Sequence, residues 1–229
     1  MSSRYVLLVT SLMLSAAALP AFASIDTTGD WNGTSFISSF GIPNTQTYGQ
    51  VIQIPAGVTM INGFSFRIMA PTTLAFRGEI YAWDGTKATG SALYESAPVS
   101  TTNAAIYEVV SFNTGGTPVM AGQQYVLFAS SSKDDAGHSG GGSRWGSTNS
   151  NTLIVPGQFV YMNNGTDVTQ WTTTTWSTIA QDLAMTAAFN DPSPVAPVGS
   201  PTGTEWAMML MGAGIIFIAA RSLTATRTA

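Results

Sequence analysis

Between residues 61 and 83 apolar side chains recur at every second position, and that period of two decides the fold class. Phe64, Phe66 and Ile68 alternate with Ser65, Arg67 and Met69; Phe76, Ile80 and Ala82 alternate with Arg77, Glu79, Tyr81 and Trp83. Successive side chains of a strand point to opposite faces, so each run presents one core face, and helical spacing is absent. Further apolar runs lie at residues 35–40, 48–54, 92–96, 106–112, 123–130, 158–163 and 182–189. Turn residues separate them: Pro55-Ala56-Gly57, Asp84-Gly85, Gly115-Gly116, Ala121-Gly122 and Asn164-Gly165. Roughly nine or ten strands at this spacing predict an all-β antiparallel sandwich, with 61–69 and 74–83 as its clearest strand pair. No fixed-period repeat is present, which argues against a propeller or a solenoid.

The two ends of the 229-residue chain do not carry this pattern. Residues 1–23 hold one basic residue, Arg4, then an apolar run, Pro20 and Ala21-Phe22-Ala23. Small residues at Ala21 and Ala23 suit a signal peptidase, so a signal peptide cleaved after Ala23 is expected. Residues 191–205 contain prolines at 192, 194, 197 and 201 without apolar periodicity, the composition of an extended linker. Residues 206–229 begin with 15 uncharged residues, Trp206 to Ala220, and then carry Arg221 and Arg227. At 1.5 Å per residue such a helix covers about 22 Å, just enough to cross a bilayer with its flanks. The sandwich is therefore expected to occupy residues 24–190, between a signal peptide and a C-terminal transmembrane helix with Trp206 at one interface and the arginines on the cytoplasmic side.

Pro201, Thr202, Thr204, Glu205 and Trp206, followed by the short glycine-containing apolar helix and Arg221 and Arg227, give the tail a recognisable form. It resembles the PEP-CTERM class of bacterial C-terminal sorting signals, closest to the variant reading Pro-Thr-Leu-Ser-Glu-Trp, with Gly203 at the leucine position. The resemblance implies a Gram-negative exporter of exopolysaccharide and a tail recognised by an exosortase-like membrane protease. The strings FRGEIYAWDGTKATGSALYES and AGQQYVLFAS resemble those of uncharacterised exported domains that carry such tails. That second resemblance implies a jelly-roll-like sandwich without an assigned activity.

Composition narrows the chemistry. Residues 24–190 contain 24 Thr and 17 Ser against 5 Lys/Arg and 10 Asp/Glu. So few cations cannot track a phosphate backbone, and nucleic acid is excluded as a partner. The only histidine, His138, sits in a glycine-rich loop, where a general base would lack fixed geometry. The chain has no cysteine, and one histidine makes a zinc site implausible. Asp134 and Asp135 are oxygen ligands of the type calcium takes, without the spacing of an EF-hand loop, and so are weak calcium candidates. Glu79, Glu95 and Glu108 are the domain's glutamates. Some pair among three acids on strands will fall at a glycosidase spacing, so polysaccharide hydrolysis or lysis is weakly motivated. An ion pair of Glu79 with Arg77, or with Arg67 across the strand pair, is the simpler expectation.

Sugar binding is better motivated. Arg77, Glu79, Tyr81 and Trp83 share the non-core face of one strand and set aromatic platforms beside hydrogen-bonding groups. The same aromatics could equally be sheet residues covered by a loop or packed on the Trp31 segment. Trp145, Trp171 and Trp176 lie in polar stretches, as binding platforms or as a lid. The expectation is therefore a non-enzymatic, cofactor-free exported protein of the cell surface or extracellular matrix with a structural or adhesive role, its association with exopolysaccharide being what the resemblance of the tail implies. A carbohydrate-binding module is the alternative.

Overall fold

The computed structural model describes residues 24–102, 104–135 and 142–190. The expected signal peptide and proline-rich linker, His138, and the residues nominated for sorting and membrane insertion, Pro201, Thr202, Thr204, Glu205, Trp206, Arg221 and Arg227, lie outside them.

Within the described residues the protein is all-β, built from two antiparallel sheets. In chain order the strands are β1 (Ser24–Asp26), β2 (Phe36–Ser38), β3 (Thr47–Gln53), β4 (Met60–Met69), β5 (Ala75–Trp83), β6 (Ala88–Glu95) and β7 (Val99–Ser100). They continue with β8 (Glu108–Pro118), β9 (Gln124–Ser130), β10 (Arg144–Gly146), β11 (Gln158–Met162), β12 (Ser177–Ile179) and β13 (Met185–Phe189). One helical turn, α1 (Gln170–Thr173), precedes β12.

The first sheet is organised on β4. β8 pairs along one side of it, and β13 followed by β10 along the other, with β1 outside β13 and β2 outside β10. The second sheet has the order β12, β11, β3, β9, β5, β6, with β7 beside the start of β5. The alternating residues read from the sequence fill the space between the sheets: Phe64, Phe66 and Ile68 from one, Phe76 and Ile80 from the other, all buried. Trp145 stands at the centre, its ring 4.7 Å from Phe66, 4.9 Å from Phe40 and 5.6 Å from Tyr48. A three-residue strand in a polar stretch therefore supplies the largest core side chain, and Trp145 is no surface platform.

Three expectations are corrected here. First, residues 61–69 and 74–83 are not a pair: β4 and β5 belong to opposite sheets, joined by a corner whose Ala70 and Leu74 are both buried. Arg67 consequently cannot face Glu79. It lies opposite Val109 on the other sheet, where its charge acts on Asp26. Second, Gly115-Gly116 is not a turn between strands. Both glycines lie inside β8 with φ of 67° and 99°, in a bulge where residues 114–116 bypass Asn62 of β4. Positive φ favours glycine in such a bulge, and the Thr114 hydroxyl bridges to the Ile61 carbonyl. Third, Trp31 packs edge-on against Tyr107, 4.7 Å away, and not against Tyr81 or Trp83.

Candidate functional site

The outward face of the second sheet carries the row nominated by the sequence, and cross-strand register shows what surrounds it. One row runs Glu95, Glu79, Phe128, Gly49, Val160 across β6, β5, β9, β3 and β11. Beside it run Arg77, Ser130, Thr47, Met162, and on its other side Tyr81, Val126, Val51, Gln158. This face is not open. The segment 163–176 folds across it and lays Trp171 and Trp176 on Phe128, with ring centroids 5.1 and 5.3 Å apart. Trp171 also meets Tyr81 at 6.1 Å, and Trp176 meets Trp83 edge-on at 5.6 Å. Tyr81 and Trp83 are therefore members of a second apolar core, not a free aromatic platform, and the two loop tryptophans are its lid. Burying an indole removes roughly 150–250 Å² from water, worth about 4 to 6 kcal/mol before the entropy of ordering the segment.

Polar contacts hold the lid in place. Asn164 accepts from the Thr47 hydroxyl at 2.9 Å and donates to Ser132 Oγ at 2.9 Å. The Trp171 indole N–H donates to Thr47 Oγ1 at 3.2 Å, the Trp176 indole N–H donates to the Trp171 carbonyl at 2.8 Å, and the Trp176 backbone N–H donates to Thr86 O at 2.9 Å.

At the Arg77 end of the face the charges pair among themselves. Arg77 binds Asp134 through Nε at 2.8 Å and Nη2 at 3.0 Å, and Glu95 through Nη1 at 2.8 Å. Lys133 reaches Glu79 at 3.0 Å and Glu95 at 2.7 Å, and its ammonium lies 5.0 Å from the centroid of the Trp171 ring. Glu79 is fully buried, and its Oε2 has no hydrogen-bond partner among the described residues. Burial pushes its carboxyl up to about 7, against the pull of the Lys133 hydrogen bond. The more exposed Glu95 is held below the usual carboxylate range by its hydrogen bond to Lys133. Glu108 lies on the other sheet and accepts from the Thr102 N–H at 3.0 Å.

Both carboxylate oxygens of Asp134 are thus engaged by Arg77, while Asp135 is buried beside it with its N–H on the Ser131 carbonyl. Among the described residues no three His, Cys, Asp or Glu side chains converge in a way that could hold a metal.

Beyond Trp83, itself 8% exposed, the face borders a hollow. A pocket of about 360 Å³ opens there, walled by Trp83, Gln124, Gln158, Asn151 and the segment 155–157. Val155, 74% exposed, separates it from a second hollow of about 580 Å³ floored by Gln53, Ala121 and Gly122. The wall is rigidly built. Fully buried Asp182 accepts the N–H groups of Leu153 at 3.1 Å and Ile154 at 3.2 Å and the Gln50 amide at 2.8 Å. The other end of that amide accepts from Leu183 N–H at 3.0 Å. Gly157 is pressed onto β3 so closely that a Cβ would stand 2.3 Å from the Val51 carbonyl oxygen, so only glycine fits. The amides of Gln124, Gln158 and Asn151 make no side-chain hydrogen bond to any described residue.

The structure commits all four nominated ligand residues, Arg77, Glu79, Tyr81 and Trp83, to internal pairing and packing, with only an edge of Trp83 reaching a pocket. The three amides escaped sequence reasoning. Their one signal was placement: Gln124 and Gln158 each open a strand whose following residues are almost all apolar. Among the described residues no helix is long and apolar enough to cross a membrane. No family model matches the chain, and neither does any curated protein or solved structure it was compared with.

Proposed function

We propose that this chain is an exported structural or adhesive protein of the cell surface or extracellular matrix. It is built on one jelly-roll-like sandwich and associates with exopolysaccharide. A signal peptide ending at Ala23 directs its export, and the PEP-CTERM-like tail is read by an exosortase-like protease. The observation that carries this reading is that the sandwich completes itself between Ser24 and Asn190. The first strand pairs with the last, Ser24 opposite Ala188, and Asn190 fastens the end of β13 to β4. Its Oδ1 accepts the N–H groups of Thr59 at 3.1 Å and Met60 at 2.7 Å, and its Nδ2 donates to Thr59 Oγ1 at 3.0 Å. A last strand fastened at Asn190 supports a domain boundary there, and with it a sorting role for the residues that follow.

The jelly-roll-like description is supported by the crossing of the chain between facing antiparallel sheets at the corner after β4. The test is a charge in the tail. An arginine at the centre of a marginal span costs about 2.5 to 3.5 kcal/mol on insertion scales. Gly214→Arg should release the protein from the membrane fraction or block its maturation while Gly214→Ala does neither, as read by fractionation and by the mass of the exported product. Identical fractionation and identical termini for wild type and G214R would refute the sorting role.

A further inference from the structure

We propose that the pocket beside Trp83 binds one uncharged pyranose unit of a glycan chain, with Gln124, Gln158 and Asn151 as its recognition residues. This deepens the exopolysaccharide association proposed above and is independent of the sorting tail. Three features of the pocket select the ligand. Its volume, about 360 Å³, is at the small end of ligand sites and suits a single ring rather than a folded segment.

Its lining has no charged side chain. In the adjoining turn Asp84 takes the Lys87 ammonium at 3.0 Å and the N–H groups of Thr86 and Lys87, so that Lys87 is already paired. A phosphate, sulfate or carboxylate would enter without a cation to meet it, so anionic ligands are disfavoured.

The polar groups on offer match hydroxyls. Each free amide presents a donor and an acceptor, and so does each ring hydroxyl. The exposed side chains of Val155 and Pro156 supply apolar surface against which the C–H face of a pyranose packs. The wall pinned by Asp182 and Gly157 preassembles these groups, which lowers the ordering cost of binding. The second hollow beyond Val155 gives the neighbouring sugar unit a place, so a chain should bind better than a single ring.

The full chain in detergent micelles is applied to an array of neutral gluco-, manno- and galacto-oligosaccharides of increasing length, with alginate- and hyaluronan-derived acidic oligosaccharides alongside. Neutral oligosaccharides should bind, longer ones more tightly than monosaccharides. The Gln124→Ala/Gln158→Ala double variant should lose about tenfold or more in affinity with its thermal unfolding unchanged. Asn151→Ala, at an exposed position of the pocket rim, should weaken binding as well. Absence of neutral binding, binding confined to acidic glycans, or full affinity in the folded amide variant would overturn the proposal. The fractionation of G214R is untouched by any of these outcomes, so a failure of the pocket is distinguishable from a failure of the sorting reading.

Discussion

Glu79 and Glu95 stand directly opposite each other on β5 and β6, and one ammonium, that of Lys133, lies 3.0 Å from the first and 2.7 Å from the second. Two carboxylates as cross-strand neighbours repel, so the pairing depends on the cation between them. The two acids are not equivalent, because Glu79 is sealed beneath the lid and Glu95 is at the rim.

That asymmetry gives a pH dependence. The folded protein raises the Glu79 carboxyl from its ordinary 4.5 to about 7, so between those values it holds a proton that the unfolded chain releases. Stability must then fall as pH rises through that window, and the loss is complete above about 7. Buried Asp182, also raised, acts in the same direction, whereas Glu95, held low, acts only at more acidic pH. Glu79→Gln should leave stability unchanged near pH 5 and improve it by about 1 to 3 kcal/mol near pH 8. Thermal unfolding curves of wild type and E79Q that run parallel across this range would remove the basis for the claim.

The lid should be stabilising on its own account. Trp171 is buried against Phe128 and Tyr81 and gives its N–H to Thr47, so Trp171→Ala leaves a cavity and an unserved hydroxyl network. The expected cost is about 3 to 5 kcal/mol by chemical denaturation. Trp171→Phe should cost less, since it keeps most of the packing. A W171A variant as stable as wild type would mean that the lid merely rests on the sheet.

Gly78 is required for a different reason. A Cβ there would lie 2.5 Å from the ring of Phe112, which is itself held by Phe64 at 4.9 Å and Phe76 at 6.4 Å. Gly78→Ala should destabilise by about 1 to 3 kcal/mol through overpacking. Adding Phe112→Leu to G78A should recover part of that loss, a coupling readable in a double-mutant cycle. Additive effects would show that the two positions do not compete for space.

The sequence carried the faces of the strands better than their partners. Alternation at Phe64, Phe66 and Ile68 identifies inward residues because that sheet's other face is polar. It cannot say that β5 belongs to the opposite sheet, since a strand crossing at a corner and a hairpin strand share one pattern. The lid was partly legible in β9: Tyr125 to Ala129 are apolar without alternation, the mark of a strand covered on both sides. Read with Tyr81 and Trp83, that run points to a second core and against an open aromatic face. Gly115-Gly116 misled because positive φ serves a bulge as well as a turn. The pocket amides stayed hidden for a plainer reason. Pairing of β9 and β11 with β3 brings Gln124 and Gln158 to one edge of the face, and the loop before β11 adds Asn151.

The pairing of Ser24 with Ala188 has a topological consequence. With β1 antiparallel to β13, the two ends of the described domain leave side by side at one end of the sandwich. The path of the chain through the described domain is thereby nearly a closed loop, and which peptide bond is left open in that loop matters little to its core. A chain with a short linker from Asn190 to Ser24 and new ends in the exposed corner 71–73 would keep every strand pairing described above. Strand adjacency, and not the order of synthesis, is what defines this architecture.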